Sequence, residues 1–357
     1  MKARQQGLSL VELLVALTIG SVLIVGAVYV YSQSRRTHTI SDAVARLQEN
    51  GRFVFSVIEP DIQLAGYYGF TNIPDDFKYI QGGSTASIVP ASKMQAASAQ
   101  VNGIGNTTVC GQNFAVNLIA TVEGSNSAKP FACTALGGGY QAATDGLTVR
   151  HASAPPADGL GAATANRLQL LVSRLSPSNQ YMFADGTLPA DPALKKDLVQ
   201  VRDLVVRSYY VSQDSSSPDT TGLPALRVKT LGDGPKFNDA DDTEIMRGVQ
   251  DFQVQFGIDT GDYNGDGNID AGRDIDGNGI PDAPLGIATR YVNPDKLPVG
   301  FQVVAVRVWI LLRAETPEAG FLDNKTYTYA DKSFTANDRY RRVLMSRTIQ
   351  TRNARSF

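Results

Sequence analysis

The chain opens MKARQQG (Met1–Gly7) and continues LSLVELLVALTIGSVLIVGAVYVY (Leu8–Tyr31). A short basic leader ending in glycine precedes 24 residues that are apolar except for small polar side chains and one acid, Glu12. About 20 apolar residues suffice for a helix to cross a bilayer. A cleaved secretory signal has a shorter apolar core, about 7–15 residues, followed by a small-x-small cut. Here the core is longer, and Ser32-Gln33-Ser34-Arg35-Arg36 offers no such site. Residues 8–31 are therefore expected to remain as a transmembrane helix. Lys2 and Arg4 precede it and Arg35 and Arg36 follow it, so flanking charge does not set its orientation. Glu12 stands near one end of the run, where burying a charge costs less than the ~2.5–3.5 kcal/mol charged at a helix centre. An ionisable residue in such a place marks a functional position.

Gly7 followed by Leu8-Ser9-Leu10-Val11-Glu12 resembles the type IV prepilin signal. The resemblance implies that a prepilin peptidase cuts between Gly7 and Leu8, that the new terminus is methylated, and that the apolar helix packs into a filament. Leu8 stands where that family usually has phenylalanine. No proline falls within 8–31, and Gly20 and Gly26 are the only weak helix points. The amine freed at Leu8 would lie four residues from Glu12, on the same helix face; in a filament such an amine neutralises the Glu12 of a neighbouring subunit. The alternative is a signal-anchor helix with an incidental acid near its end.

Beyond the run, Ile40, Val44, Leu47, Val54, Ile58 and Ile62 recur at helical spacing, with Asp42, Arg46, Gln48 and Glu49 opposite. This predicts an amphipathic helix over 32–66 whose apolar face packs on a head; a free coiled-coil stalk is the alternative. Pro60 is expected to end or kink it near Ile58 or Glu59. Residues 48–69, QENGRFVFSVIEPDIQLAGYYG, resemble the corresponding stretch of the PilW family of minor pilins, as do Glu244–Asp259 and Tyr340–Asn353. The region 70–240 shows no such likeness.

The chain has 357 residues and a net charge of −2, and losing Lys2 and Arg4 with the leader takes it to −4. No basic field exists to attract nucleic acid. Cys110 and Cys133 enclose 22 residues. In an exported head they are expected to form a disulfide, worth about 3 kcal/mol for a loop of this size; two free thiols are the alternative.

Strand patterns appear at Asn117–Val122, Leu147–His151, Arg167–Val172, Leu198–Val211, Val249–Ile258, Val303–Arg313 and Val343–Thr351. In Val303–Arg313, Val304, Val306, Val308, Ile310 and Leu312 share one face, as in a half-buried antiparallel strand. Gly-, Ala-, Ser- and Asn-rich residues 70–165 suggest loops and short strands. With no phosphate-binding glycine motif, a nucleotide-binding α/β fold is disfavoured. The expected class is α+β and pilin-like: one long N-terminal helix on an antiparallel sheet, with a head over 67–357 carrying large loop insertions.

Residues 259–282, DTGDYNGDGNIDAGRDIDGNGIPD, alternate oxygen ligands with glycine, as a hard cation requires. Asp262, Asn264, Asp266, Asp270 and the Asn268 carbonyl form a first turn, and Asp274, Asp276, Asn278, Asp282 and the Ile280 carbonyl a second. Arg273 replaces the bidentate glutamate of an EF-hand, so one or two calcium ions are expected in a loop between strands. Magnesium fits less well, since it prefers fewer protein ligands in a strict octahedron; the alternative is a solvated acidic turn.

His38 and His151 are the only histidines, and no GxSxG elbow surrounds a serine. No catalytic residue is assigned and no enzyme is expected. The resemblance implies a minor pilin of type IV pilus assembly, in an initiating or tip complex that supports twitching motility and adhesion. Its expected partners are other minor pilins, the major pilin, the prepilin peptidase, the inner-membrane assembly platform and a tip adhesin. Its expected place is the inner membrane with the head in the periplasm, then the pilus. Two rivals are a pseudopilin of type II secretion and a membrane-anchored calcium-binding adhesin or hydrolase.

Overall fold

A computed structural model of the protein describes residues 9–71, 73, 77–81, 83–90, 116–155, 160–174, 180–190, 198–216, 222–231, 241–261, 286–298, 301 and 303–354. A single helix, α1 (Leu10–Leu64, 55 residues), forms its first element. At 1.5 Å per residue it is about 80 Å long. Ser9 caps its start through a reciprocal pair: the Ser9 hydroxyl accepts from the Glu12 amide at 3.2 Å, and Glu12 Oε2 accepts from the Ser9 amide at 3.0 Å. This is the capping box written by S-x-x-E, which satisfies two otherwise orphaned donors.

The C-terminal third of α1 is the part that packs. Leu47, Val54, Ile58 and Ile62 are buried as the spacing predicts, joined by Gly51, Phe55 and Asp61, while Asp42, Arg46, Gln48 and Glu49 are exposed. Pro60 lies inside the helix instead of ending it. Pro60 and Ser56 both sit on the exposed face, so the carbonyl deprived of a donor by the proline is left to water, while the buried Asp61 and Ile62 hold the final turn on the head. Gly66, at φ +76°, then turns the chain; a Cβ there would meet Thr121 and the Asn353 carbonyl at 3.1 and 3.3 Å.

Residues 70–165, expected to hold loops and short strands, supply the first strands of a nine-stranded sheet that runs on to Arg247. It comprises β1 (Phe77–Gln81), β2 (Ser84–Pro90), β3 (Val122–Ser125), β4 (Gly146–Ala152), β5 (Ala165–Ser173), β6 (Gln180–Asp185), β7 (Val199–Ser212), β8 (Ala225–Thr230) and β9 (Asp242–Arg247). The order is β2-β1-β6-β5-β7-β4-β3, with β8 on the far half of β7 and β9 on β8. Only β1–β6 is parallel among the paired strands described, so the sheet is mixed. The strand expected at Asn117–Val122 does not form before Val122: Asn117 Oδ1 accepts from the Ala120 amide at 3.4 Å, bending the chain instead.

The second sheet has the order β11 (Arg290–Val292), β10 (Val249–Ile258), β12 (Val303–Arg313) and β15 (Arg342–Gln350), all antiparallel. A hairpin, β13 (Thr326–Tyr329) and β14 (Lys332–Thr335), stands beside it. In β12, Val306, Val308, Ile310 and Leu312 enter the core, and Arg307 and Trp309 are half-buried on the other face. One apolar cluster joins Leu47, Val54, Phe55, Ile58 and Ile62 of α1 to both sheets. The helix therefore forms a wall of the main core. Gly51 permits the closest approach, since a Cβ there would fall 2.2 Å from Met345 Sδ.

A second cluster, around Tyr68, Phe77, Phe131 and Tyr210, includes Cys133 at 2 % exposure. Beside it lies a buried charged knot on β8 and β9. Asp242 accepts from Arg227 Nε at 2.8 Å and from the Tyr210 hydroxyl at 2.6 Å, and Lys229 Nζ stands 3.5 Å from it. The Lys229 ammonium also lies 5.4 Å from the Phe131 ring centre.

Candidate functional site

Residues 10–31 of α1 are exposed apolar helix. Leu10, Leu17, Val22, Leu23 and Val25 are each at least 65 % exposed, and mean hydropathy reaches 2.5 in an 18-residue window, none of which is buried. By length and composition this helix can cross a membrane. Gly7 and Leu8 lie outside the described residues. Glu12 is exposed, and its capping bond to Ser9 uses one of its oxygens; a carboxylate has further lone pairs for a second partner.

The other end of α1 is fixed to the head by charge. Asp61 is 4 % exposed. Arg207 Nη1 donates to both of its oxygens, at 2.8 and 3.0 Å, and the Tyr209 hydroxyl also donates to it. His151 Nε2 stands 3.6 Å from Asp61 Oδ1, beyond hydrogen-bond length, while its Nδ1 lies 2.8 Å from the Ala152 carbonyl. Desolvation works against the charged carboxyl of Asp61, but His151, Tyr209 and Arg207 outweigh it and hold the group below its ordinary value. His151 therefore sits in the seat of the helix, more deeply buried than the strand-end position predicted. Two residues earlier, Glu59 pairs with Arg347, whose guanidinium lies 5.6 Å from the Phe55 ring centre.

A third acid joins the two sheets. Asp145 accepts from the Ser127 amide and from the Val254 amide of β10, both at 2.9 Å, and its own amide donates to the Phe252 carbonyl at 2.8 Å. Burial, aided by the nearby Asp331 and Asp251, raises its carboxyl to about 6 against the opposing amide bonds. The folded state thus binds this proton at a higher pH than the unfolded chain, and the group favours folding as pH falls through about 6 towards 4. A shift from 3.8 to about 6 corresponds to roughly 3 kcal/mol. Between about pH 4 and pH 7 the stability of the wild type relative to Asp145→Asn is expected to fall by that amount. Denaturant melts of both chains across this range measure it; a difference independent of pH would refute the assignment.

The expected calcium ligands Asp262, Asn264, Asp266, Asn268, Asp270, Asp274, Asp276, Asn278, Ile280 and Asp282 lie outside the described residues. The described flanks are β10 and β11, antiparallel neighbours. Among the described residues no group of three or more His, Cys, Asp or Glu could hold a metal, and no cysteine is free. Cys110 also lies outside them.

Two family models match the chain. That of the type IV pilus-assembly protein W, PilW, covers residues 208–353, from within β7 to just beyond β15. That of the prokaryotic N-terminal methylation motif covers residues 2–28. No curated protein and no solved structure matches significantly.

Proposed function

Proceeding from a chain that is a type IV pilus-assembly minor pilin of the PilW family, we propose that it acts in the complex that initiates the pilus or caps its tip. The family implies association with other pilus components, and the methylation motif with the exposed apolar helix supports membrane anchoring. In our reading the anchor lies in the inner membrane with the head in the periplasm. The head meets other minor pilins there and passes with them to the pilus, supporting twitching motility and adhesion. Prepilin peptidase cuts between Gly7 and Leu8, and the assembly platform and major pilin follow as partners. The observation that carries this reading is a methylation motif over residues 2–28 on a helix that continues unbroken into the core of a PilW-type head. Intact mass of the protein from native membranes tests it. A chain starting at N-methylated Leu8 is expected; one keeping Met1 in cells with active peptidase would overturn the filament role.

In the same reading Glu12 pairs with the Leu8 amine of a neighbour. Glutamine can fill the same capping role, so Glu12→Gln keeps the helix start and removes only the charge. Both Glu12→Gln and Glu12→Ala are expected to remain in the membrane but to be recovered several-fold less in sheared pili. Wild-type recovery of Glu12→Gln would rule out the pairing. We also propose the Cys110–Cys133 disulfide and calcium in the 259–282 loop, whose alternating Asp, Asn and Gly suit oxygen coordination. Calcium should raise the melting temperature of the chain; no heat of binding at millimolar calcium would exclude it.

A further inference from the structure

We propose that the head rests on the headgroup layer of the membrane crossed by α1, through the loop Glu315–Asp323 with Leu322 entering the lipid. This rests on the reading that Leu8–Tyr31 spans a bilayer. Arg36 is the most N-terminal residue of α1 with a described hydrogen bond to the head: its Nη2 donates to the Gly320 carbonyl at 3.2 Å. It lies five residues past Tyr31, about 7.5 Å along the axis. The headgroup region is about 5–7 Å deep on each side of the hydrocarbon. Helical side chains lean towards the N-terminus, so the Arg36 guanidinium, and Gly320 with it, lies on the membrane side of its own Cα. Two residues further on, Leu322 has about 7 Å of chain with which to reach lipid.

The loop's chemistry suits that layer. Leu322 is 58 % exposed, the most exposed large apolar side chain outside α1 among the described residues. Lipid is hostile to a bare carboxylate, and every acid of the loop is paired: Glu315 with Arg247 at 2.7 Å, Glu318 with Arg341, and Asp323 with Arg342 at 3.2 Å. Arg35 and Arg36 add positive charge at the same level, which anionic headgroups attract. The loop is also pre-shaped. The Phe321 ring lies 4.1 Å from the Arg341 guanidinium, and backbone bonds join Phe321 to Glu318 at 3.3 Å and Asp323 to Asp338 at 2.7 Å. Little ordering is therefore needed on contact.

The test uses the full chain in vesicles of zwitterionic and anionic phospholipid carrying a nitroxide near the headgroup. A polarity-sensitive fluorophore is placed at Leu322→Cys, at Tyr31→Cys on the anchor, or at Leu188→Cys. Leu188 is 40 % exposed in the segment that follows β6. Label taken up by the unsubstituted chain is subtracted. Blue-shifted, quenched emission at Leu322 and Tyr31, with Leu188 several-fold less quenched, is expected. Quenching at Tyr31 with Leu322 no more quenched than Leu188 would overturn the loop contact and leave the anchor standing. An unquenched Tyr31 would overturn the anchor, and the loop contact with it.

Discussion

Asp242→Ala is expected to unfold the head. The carboxylate is fully enclosed, as are Arg227 at 4 % and Lys229 at 0 % side-chain exposure. Removing it leaves two buried cations and the Tyr210 hydroxyl without their shared acceptor. Breaking one buried pair by removing a partner costs about 3–5 kcal/mol, and here one deletion takes a shared carboxylate from two cations, although Arg227 keeps Glu244 at 3.7 Å and Ser216 at 2.7 Å. A domain's whole stability is about 5–15 kcal/mol, so little or no folded protein should accumulate in membranes at growth temperature. Asp242→Asn keeps one acceptor for Tyr210 or Arg227 and should be milder. Immunoblotting with limited proteolysis ranks the variants; an Asp242→Ala chain as resistant as wild type would show that the knot contributes little.

Asp61→Ala comes next in size, at about 3 kcal/mol, because it deprives a buried Tyr209 hydroxyl and an Arg207 that still reaches water. Its effect differs in kind. Asp61 joins α1 to β4 and β7, so its loss should free the last turns of the helix before the sheets melt. Amide exchange should therefore speed up first over residues 54–64. The carboxyl lies below its ordinary value, so its contribution is complete above about pH 4 and declines as pH falls below that. Wild type and variant should converge in acid. Uniform exchange across head and helix would refute this order of events.

The reading of the sequence succeeded where burial and polarity agree. β10 and β12 carry long apolar alternations, and their ends fall at the predicted residues. The helix face from Leu47 to Ile62 was legible for the same reason. The larger sheet was legible only in part: β4, β5 and β7 read as strands, but β1, β2, β6, β8 and β9 did not, and its buried positions are often polar. All seven residues of β4 are buried, among them Thr148 and Arg150, which bond to Ser208 and Glu123, and His151, whose Nε2 stands 3.6 Å from Asp61. In β8, Arg227 and Lys229 are charged yet buried, paired with Asp242. No local pattern announces a partner fifteen or more residues away. Pro60, expected to end or kink the helix, does not end it: it lies on the exposed face and the helix runs on to Leu64. The capping box at Ser9 and Glu12 was legible as S-x-x-E, yet Glu12 had been read only for its charge.

The seat of α1 also decides how the molecule answers a mechanical pull. Tension applied to the N-terminal half travels along the helix axis and reaches the head in shear. The contacts from Leu47 to Ile62, with the Glu59 and Asp61 pins among them, then bear it side by side. A tug across the axis instead peels one turn at a time, beginning at the single Arg36–Gly320 bond and Leu47. The subunit is strong in the direction in which a fibre is stretched and weak in the direction from which a neighbour would pry it loose.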